Sequence, residues 1–492
     1  MAINSAGLPL NQGAGEENTS FSTTLPSEVT AVLSLITLRC VECSALYPAR
    51  EAGRPPRYRC DCGGVLDVEM PFRFPQKQGQ FPTDADQRPV GVDESVPSVG
   101  ALWRQLFDDR AANPPIWSIT TDTLQLDYSG VWRYRELILP VPESYAVSRP
   151  EGNTSLYPVG IENCGPGRSG HRQIGVYAGL ERLFIKHEGE NPTGSFKDRG
   201  MTVGVTMAHL LGAKAVACAS TGNTSASLAS YAAQAGIPSI VFLPAGKVAG
   251  GKLAQTMAHG ARMVQIAGDF DAAMHLVEQA CNELGIYLLN SLNPFRIEGQ
   301  KAIGFEILHQ LDWQAPDWLV LPAGNLGNTS ALGKAFRQAY ELRLISHIPR
   351  IASIQASGAN PFYRSYQQGF AKRETVQADT IATAIKIGNP VSYTRARRVI
   401  ETCDGVVEEV SDAEILDAKR VIDRSGIGCE PASAATLAGM RKLVARGIIK
   451  RDEQVVGVLT GNLLKDSQTG MPQDVAGNVV AATMEAVRSI LA

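Results

Sequence analysis

Between residues 183 and 355 the sequence alternates short apolar runs of strand type with longer segments of helix type. The strand-like runs are residues 215–219, 239–243, 262–266, 286–289, 318–321 and 351–355, and helical patterns include 271–284, 299–311 and 329–344. Such alternation is typical of βαβ units, in which parallel strands form a sheet that is covered by helices. It predicts an α/β fold built on mostly parallel sheets.

The balance of charged residues excludes several classes of partner. The chain of 492 residues carries 46 basic and 49 acidic residues, and neither sign is concentrated in a stripe or a tail. We therefore expect no nucleic-acid partner. The longest apolar runs, such as residues 237–244, are far shorter than the stretch of about 20 residues that spans a bilayer, so we expect no membrane partner.

The amino-terminal segment has the composition of a mobile arm. Residues 1–30 are rich in Ser, Thr, Asn and Gly, and no Lys or Arg precedes Arg39. Signal peptides carry a positive amino-terminal region and transit peptides are rich in Arg, so neither pattern fits. The expected location of the protein is the cytoplasm.

Four of the nine cysteines lie close together in the sequence. Cys40, Cys43, Cys60 and Cys62 form the pattern C-x2-C…C-x-C, with sixteen residues between the pairs. Four thiolates at this spacing suit a small zinc ribbon, although the second pair is one residue shorter than usual. Reduced cysteines that serve only for packing are the alternative.

The segment N-P-T-G-S-F-K-D-R-G-M, residues 191–201, joins a strand-like run to a helix-like run. Its Pro and Gly predict a turn, Ser195 is suited to cap the following helix, and Asp198 suits the positive end of that helix. These signals place Lys197 in the first helical turn. A buried lysine there is costly unless it is paired or uncharged, and a surface lysine is the ordinary alternative.

Two later loops are suited to bind anions. The run S-T-G-N-T contains Ser220, Thr221, Asn223 and Thr224, and the second loop contains Gly324, Asn325, Leu326, Gly327 and Asn328. Each loop follows a predicted strand and opens a predicted helix, whose backbone amides attract an anion. An ordinary turn with a helix cap is the alternative. No Walker lysine and no G-x-G-x-x-G motif is present, which argues against a nucleotide.

Residues 191–201 resemble the lysine-bearing segment of the tryptophan synthase β-like (fold type II) family of pyridoxal-phosphate enzymes, in the form typical of threonine synthases. The runs S-T-G-N-T, G-N-L-G-N and L-T-G-N-L-L-K-D resemble further loops of that family and occur in the same order. The resemblance covers about residues 150–467. It implies two mostly parallel three-layer α/β domains preceded by a small cysteine-knuckle segment.

The expected domains follow from this resemblance. A mobile arm is expected at residues 1–30 and a zinc-ribbon-like segment at 31–75. A large α/β domain would consist of residues 76–205 and 305–492, and it would contain the loop that binds the phosphate of the cofactor. A small α/β domain would consist of residues 206–304.

The resemblance also implies the roles of single residues toward pyridoxal phosphate. Lys197 would hold the cofactor as an aldimine, and the loop at 324–328 would bind its phosphate. Asn223 would contact the hydroxyl on the cofactor ring. Thr460, at the end of a strand-like run, would face the pyridine nitrogen, and a plain strand-end threonine is the alternative.

Threonine synthases must in addition hold the phosphate of O-phosphohomoserine. Asn290 and Arg296 match the family's ligands for that phosphate, with Ser220 and Thr224 opposite, and the loop with Thr221 would hold the substrate carboxylate. Arg is the natural partner because its planar fork binds a phosphate through two hydrogen bonds. An exposed ion pair near a helix start is the alternative for this Arg.

The implied reaction converts O-phospho-L-homoserine and water to L-threonine and phosphate. A threonine or serine dehydratase of the same fold and a catalytically silent regulatory relative are the alternatives, and the presence of Lys197 argues against the second. Homodimers are usual in the family, so we expect a homodimer. The sequence leaves open whether S-adenosylmethionine regulates the protein.

Overall fold

The computed structural model describes residues 21, 25–52, 54–75, 98–112, 126–220, 222–245, 250–267, 270–467, 469 and 481–491. Most of the predicted mobile arm therefore lies outside the described residues. The strands are β1 Thr37–Cys40, β2 Leu46–Pro48, β3 Leu66–Glu69, β4 Leu156–Pro158, β5 Arg182–His187, β6 Ala215–Ala219, β7 Ser239–Pro244, β8 Arg262–Ile266, β9 Ile286–Leu288, β10 Trp318–Pro322, β11 Arg350–Ala356, β12 Val406–Val410 and β13 Gln454–Leu459.

Helices lie between most of these strands. They are α1 Ser27–Ser34, α2 Val99–Ala112, α3 Arg135–Ile138, α4 Ser169–Ala178, α5 Lys197–Leu210, α6 Asn223–Gln234, α7 Gly250–Ala258, α8 Phe270–Glu283, α9 Pro294–Gln310, α10 Gly327–Glu341, α11 Pro361–Gln367, α12 Tyr393–Thr402, α13 Asp412–Arg424, α14 Pro431–Ala445 and α15 Met484–Leu491. Within the described part of the chain, no helix is long and apolar enough to cross a membrane.

The strands form three sheets. A small antiparallel sheet, β2-β1-β3, lies in the cysteine-bearing segment. A six-stranded sheet has the order β12-β11-β10-β13-β5-β4 and is parallel except for its edge strand β4. A four-stranded parallel sheet has the order β8-β7-β6-β9. The predicted fold class, two mostly parallel α/β units preceded by a cysteine-bearing segment, is confirmed, and the exact domain boundaries stay a prediction.

The predicted strands agree with the observed ones to within a residue, whereas one helix begins earlier than predicted. The sequence pattern places its start at residue 299, but α9 begins at Pro294. The side chain of Asn293 accepts a hydrogen bond from the N–H of Phe295, and proline at the first helical position needs no hydrogen-bond partner for its nitrogen. This additional turn brings Arg296 into the helix.

The predicted cap of α5 is wrong. The hydroxyl of Ser195 is buried and has no hydrogen-bond partner among the described residues, and no side chain caps this helix. Asp198, in the first turn, instead accepts hydrogen bonds from the N–H of Thr193 at 2.7 Å and from its hydroxyl at 2.6 Å. The turn before the helix is therefore closed by a carboxylate inside the helix, which leaves Ser195 free.

Helices α5 and α9 cross at unusually close range. A Cβ on Gly299 would lie 2.0 Å from the carbonyl oxygen of Arg199, and a Cβ on Gly200 would lie 2.9 Å from the carbonyl oxygen of Arg296. Only glycine permits such an approach of two helix backbones. The crossing brings the start of α5, with Lys197, next to the start of α9, with Arg296.

A fully buried ion network joins this helix pair to the six-stranded sheet. Arg199 of α5 donates to both carboxylate oxygens of Glu188, which follows β5, at 2.6 and 2.9 Å. It also donates to both oxygens of Glu306 on α9, each at 2.9 Å. Lys186 of β5 completes the network, 2.5 Å from Glu306.

The network is balanced, with two cations and two carboxylates that are at most 1% exposed. Burial by itself raises the pKa of Glu306, but the charges of Arg199 and Lys186 outweigh it and hold the pKa well below the usual range. Each charge is thus stable only in the presence of the others, because an unpaired buried ion is very costly.

We expect Glu306→Ala to lower the free energy of unfolding by about 3–5 kcal/mol, since it leaves buried cations without their partner. The control is Glu341→Ala, which breaks a pair with Arg337 in which both side chains are about half exposed. That change should cost less than about 1 kcal/mol. Guanidinium unfolding of both variants measures the difference, and equal losses would contradict a central role for the network.

Candidate active site

The predicted site residues lie around one cavity of about 890 Å³. It opens at the carboxyl ends of β10 and β13 in the six-stranded sheet and of β6 and β9 in the four-stranded sheet. The carboxyl ends of parallel strands are where α/β folds bind ligands. The predicted residues on its wall are Lys197, Ser220, Asn223, Thr224, Asn290, Arg296, Gly324, Asn325, Leu326, Gly327, Asn328 and Thr460. Thr221 lies outside the described residues.

Lys197 is the first residue of α5, and its side chain faces the cavity beneath the ring of Phe196. The ammonium nitrogen lies 3.9 Å from the centroid of that ring. Burial, together with the charge of Arg296 and against the opposing effect of Glu430, lowers the pKa of Lys197 to about 7. A substantial fraction of this amine is therefore unprotonated at neutral pH, as a nucleophile or a base requires.

The Ser-Thr-Gly-Asn loop leads into α6, whose first residue is Asn223. The hydroxyl of Ser220 accepts a hydrogen bond from the N–H of Gly222 at 3.2 Å. The side-chain amide of Asn223 donates to both carboxylate oxygens of Glu430, at 3.0 and 3.3 Å. This contact fixes which way the amide of Asn223 faces, with its nitrogen toward Glu430.

The glycine loop at 324–328 links β10 to α10. Leu326 adopts a left-handed conformation with a φ of 64°, which is uncommon for a residue other than glycine. Gly324 packs so closely on Ile385 that a Cβ would lie 2.9 Å from the Cα of that residue. The loop is therefore shaped by backbone approach, and its amides at the start of α10 are suited to bind an anion.

Several polar groups beside this loop have no partner within the described residues. Both polar atoms of the Asn328 side chain are buried and unpaired, and so is Oε1 of Gln300. A Cβ on Gly327 would lie 3.3 Å from that oxygen. Since buried polar groups are nearly always hydrogen-bonded, these atoms fit a polar ligand such as the phosphate of a cofactor at the helix start.

Thr460 follows β13 and is held by Ser433 of α14. The hydroxyl oxygen of Ser433 accepts hydrogen bonds from the N–H groups of Thr460 and Gly461, at 2.9 and 3.0 Å. It lies 3.1 Å from the hydroxyl oxygen of Thr460. Because both acceptor positions of Ser433 are used, its proton is available to Thr460, whose own proton can then point into the cavity.

Arg296 is a buried cation on the cavity wall, with 1% of its surface exposed. One nitrogen donates to the carbonyl of Leu289 at 3.2 Å, and Nε has no partner in the described residues. Burial lowers its pKa to about 10, with only a weak opposing effect from Cys218. No carboxylate of the described residues pairs with it, in contrast to the fully balanced Arg199.

Asn290 lies beside Arg296 but is largely occupied by the backbone. Its amide oxygen accepts a hydrogen bond from the N–H of Ala219 at 2.9 Å, and its amide nitrogen donates to the carbonyl of Ala219 at 3.0 Å. One N–H of this amide is left for a ligand. Its clearest contribution is to tie the end of β9 to the end of β6.

Sequence reasoning assigned no role to four residues of this site: Glu430, Ser433, Gln300 and Lys465. Burial raises the pKa of Glu430, against the hydrogen bond from Asn223 and the charge of Lys197. The run E-P-A-S at 430–433 was the available signal, since it places two polar residues at the start of a helix whose next turns are mostly small and apolar.

The four clustered cysteines lie away from this cavity. Their sulfur atoms are all within 4.8 Å of one another, with 3.5 Å between Cys40 and Cys62 and 3.4 Å between Cys43 and Cys60. Two of the thiols are buried and two are exposed. The arrangement has the ligand number and proximity of a structural metal site.

Comparison with known proteins shows which family this chain resembles. Residues 172–461 match the family model described as "Pyridoxal-phosphate dependent enzyme". Threonine synthase of Methanosarcina acetivorans is 49% identical over 92% of this chain and 98% of its own length. That of Methanocaldococcus jannaschii is 40% identical with the same coverage. Threonine synthase 2, chloroplastic, of Arabidopsis thaliana is 41% identical over 84% of this chain and 74% of its length.

Solved structures agree at the level of the fold. Threonine deaminase isoform 2 of Solanum lycopersicum, in its processed form, matches with a TM-score of 0.53 at 23% identity over 63% of this chain and 79% of that one. A fungal L-serine ammonia-lyase from Rhizomucor miehei matches with a TM-score of 0.53 at 19% identity, covering 63% and 94%. With relatives up to 49% identical over nearly their whole length, the chain belongs to the threonine synthase family of pyridoxal-phosphate dependent enzymes.

Proposed function

We propose that the protein is a threonine synthase that converts O-phospho-L-homoserine and water to L-threonine and phosphate. The observation that carries this proposal is Arg296, a buried cation on the wall of the cavity that contains Lys197, with no carboxylate partner among the residues that the structure describes. A site of this kind favours a substrate that brings its own negative charge. Dehydratases of threonine or serine act on side chains without such a charge.

We propose that pyridoxal phosphate binds with its phosphate at the glycine loop. The unpaired atoms of Asn328 and Gln300 and the backbone amides at 324–328 would hold that phosphate. Asn223 would face the ring hydroxyl, and Thr460 would face the ring nitrogen. When bound, the cofactor supplies an aldehyde for an amine to attack and a ring that accepts electrons from Cα.

Lys197 would act both as the attachment point and as the base. Its pKa of about 7 allows the amine to take a proton from Cα of the substrate at neutral pH and to return one. Glu430 limits the downward shift that burial imposes on this amine, so that the proton can still be held. The ring of Phe196 lies over the amine, with 3.9 Å between the ammonium nitrogen and the ring centroid.

The substrate would lie between two anion sites that both involve α9. The glycine loop, the start of α10 and Gln300 would hold the cofactor's phosphate, whereas Arg296 would hold the substrate's phosphate. Ser220 and Thr224 would add hydroxyl donors from the loop that leads into α6, and one N–H of Asn290 would complete the set. Thr221 is assigned to the substrate carboxylate on the resemblance alone.

We further propose that the cysteine cluster binds one zinc ion. Zinc–sulfur bonds of about 2.3 Å in a tetrahedron place the sulfurs about 3.8 Å apart, close to the two separations of 3.4 and 3.5 Å. The cluster lies outside the cavity wall, so its role would be structural. The homodimer and the cytoplasmic location stay predictions of the sequence.

The attachment of the cofactor is tested by borohydride reduction of the yellow protein, followed by peptide mass spectrometry. We expect the reduced cofactor on Lys197, because this lysine lies on the cavity wall and its pKa is lowered to about 7. The control is Lys465→Ala, because Lys465 also lines the cavity but is hydrogen-bonded to Gln255 at 2.7 Å. That variant should keep the label. A label on Lys465 in the parent protein would overturn the assignment.

Substrate identity is tested by Arg296→Ala. Removing one partner of a buried charge pair costs about 2–5 kcal/mol, so kcat/KM for O-phosphohomoserine should fall about 30- to 4000-fold. Arg296→Lys keeps the positive charge but loses the planar guanidinium, so its kcat/KM should lie between the values of the parent and of Arg296→Ala. The visible absorption of the bound cofactor should not change, because its phosphate would be held by the glycine loop, Asn328 and Gln300 and not by Arg296.

Two controls accompany this experiment. Slow turnover of serine, which has no phosphate, should change little in Arg296→Ala. Arg262→Ala removes an exposed Arg from β8, at the edge of the four-stranded sheet opposite β9, and should leave both reactions as in the parent. Equal losses with serine and with O-phosphohomoserine in Arg296→Ala would show that this Arg is structural and would contradict the proposed substrate.

Metal content tests the zinc proposal. Protein purified without chelators should contain one zinc per chain, and Cys43→Ser should lower that content because one of four thiolate ligands is lost. Cys164→Ser, outside the cluster, should leave the zinc content unchanged. A parent protein without zinc in which all four clustered thiols react freely would leave them a packing role only.

A further inference from the structure

The cysteine module, defined as residues 37–69 with strands β1 to β3, is attached to helices beside the six-stranded sheet. Lys334 of α10 donates to the carboxylate of Asp67 at 3.2 Å. Arg395 of α12 donates to the carbonyl of Leu66. Both cationic side chains are at least nine-tenths buried, so these contacts give the module a fixed position on α10 and α12.

On its other side the module reaches β9, the edge strand of the four-stranded sheet. The hydroxyl of Tyr58 accepts a hydrogen bond from the N–H of Leu288 at 2.8 Å, and its ring packs edge-on against Tyr287. Leu289 donates its N–H to Ala217 of β6, so the N–H of Leu288 points away from the sheet. Tyr58 therefore supplies the partner that this buried edge group needs.

Leu288, the last residue of β9, and Leu289, which follows it, also hold Arg296 in place. The carbonyl of Leu289 accepts a hydrogen bond from the guanidinium of Arg296 at 3.2 Å. The carbonyl of Leu288 accepts one from the side chain of Asn293 at 2.8 Å, and Asn293 caps the helix that carries Arg296. A shift of Leu288 and Leu289 would thus move both the guanidinium and the start of its helix.

We propose that Tyr58 is a positioning residue for the substrate-phosphate site. By holding the N–H of Leu288 it fixes the end of β9, and through it the guanidinium of Arg296. This inference rests on the proposed function, because it assigns Tyr58 to the affinity for the phosphate of the substrate. The cysteine module would thus contribute to substrate binding, although none of its described residues lines the cavity.

The test is Tyr58→Phe in the holoenzyme. The ring and its packing remain, but a buried N–H loses its acceptor, which is the costly way to break a hydrogen bond. We expect KM for O-phosphohomoserine to rise about five- to thirtyfold, with kcat within about twofold of the parent value. Calorimetric titration with inorganic phosphate should show a matching loss of affinity. Serine turnover should stay unchanged.

The control is Tyr177→Phe, which removes a tyrosine hydroxyl bonded to Asp417 beside the six-stranded sheet, away from β9. It should leave KM and phosphate affinity unchanged. Unaltered KM and phosphate affinity in Tyr58→Phe would overturn the inference, as would an equal rise of KM for serine. If the parent protein turns over O-phosphohomoserine and Arg296→Ala weakens it while Tyr58→Phe does not, only this inference fails. If the parent protein does not turn it over, the proposed function fails.

Discussion

The buried network around Arg199 is the constraint on which the site depends. It binds α5 to the end of β5 through Glu188 and to α9 through Glu306, with all three side chains at most 1% exposed. The close approach of α5 and α9 is possible because Gly200 and Gly299 lie where the two helices cross. Since Lys197 and Arg296 begin these two helices, the network sets the distance between the reactive amine and the substrate-phosphate site.

A division between paired and unpaired charge follows from this arrangement. Away from the cavity, buried cations such as Arg199 and Lys334 have carboxylate partners. On the cavity wall, Lys197 has a pKa lowered to about 7, and Arg296 has no carboxylate partner within the described chain. The paired cations stabilise one arrangement of the fold. The cations on the cavity wall instead raise the free energy of the folded protein until a ligand supplies negative charge. This unpaired charge lies where the phosphate of the substrate is expected to bind.

The sequence predicted what depends on local chemistry and missed what depends on contacts between distant segments. Hydrophobic alternation located the strands, and the resemblance of the loop motifs to the family located Lys197, the glycine loop and Thr460, all of which line one cavity. Ser195 was wrongly predicted as a cap, because Asp198 closes the preceding turn through Thr193 and no side chain caps the helix. Glu430 and Tyr58 were missed because their partners are more than two hundred residues away along the chain.

The most direct measurement of the central claim is a product assay with the purified holoenzyme and O-phospho-L-homoserine. We expect L-threonine and inorganic phosphate in equal amounts, with far slower turnover of serine and threonine. The comparison of substrates matters because the fold is shared with deaminases and ammonia-lyases. Formation of a keto acid and ammonia from threonine or serine, without threonine from O-phosphohomoserine, would contradict the central claim.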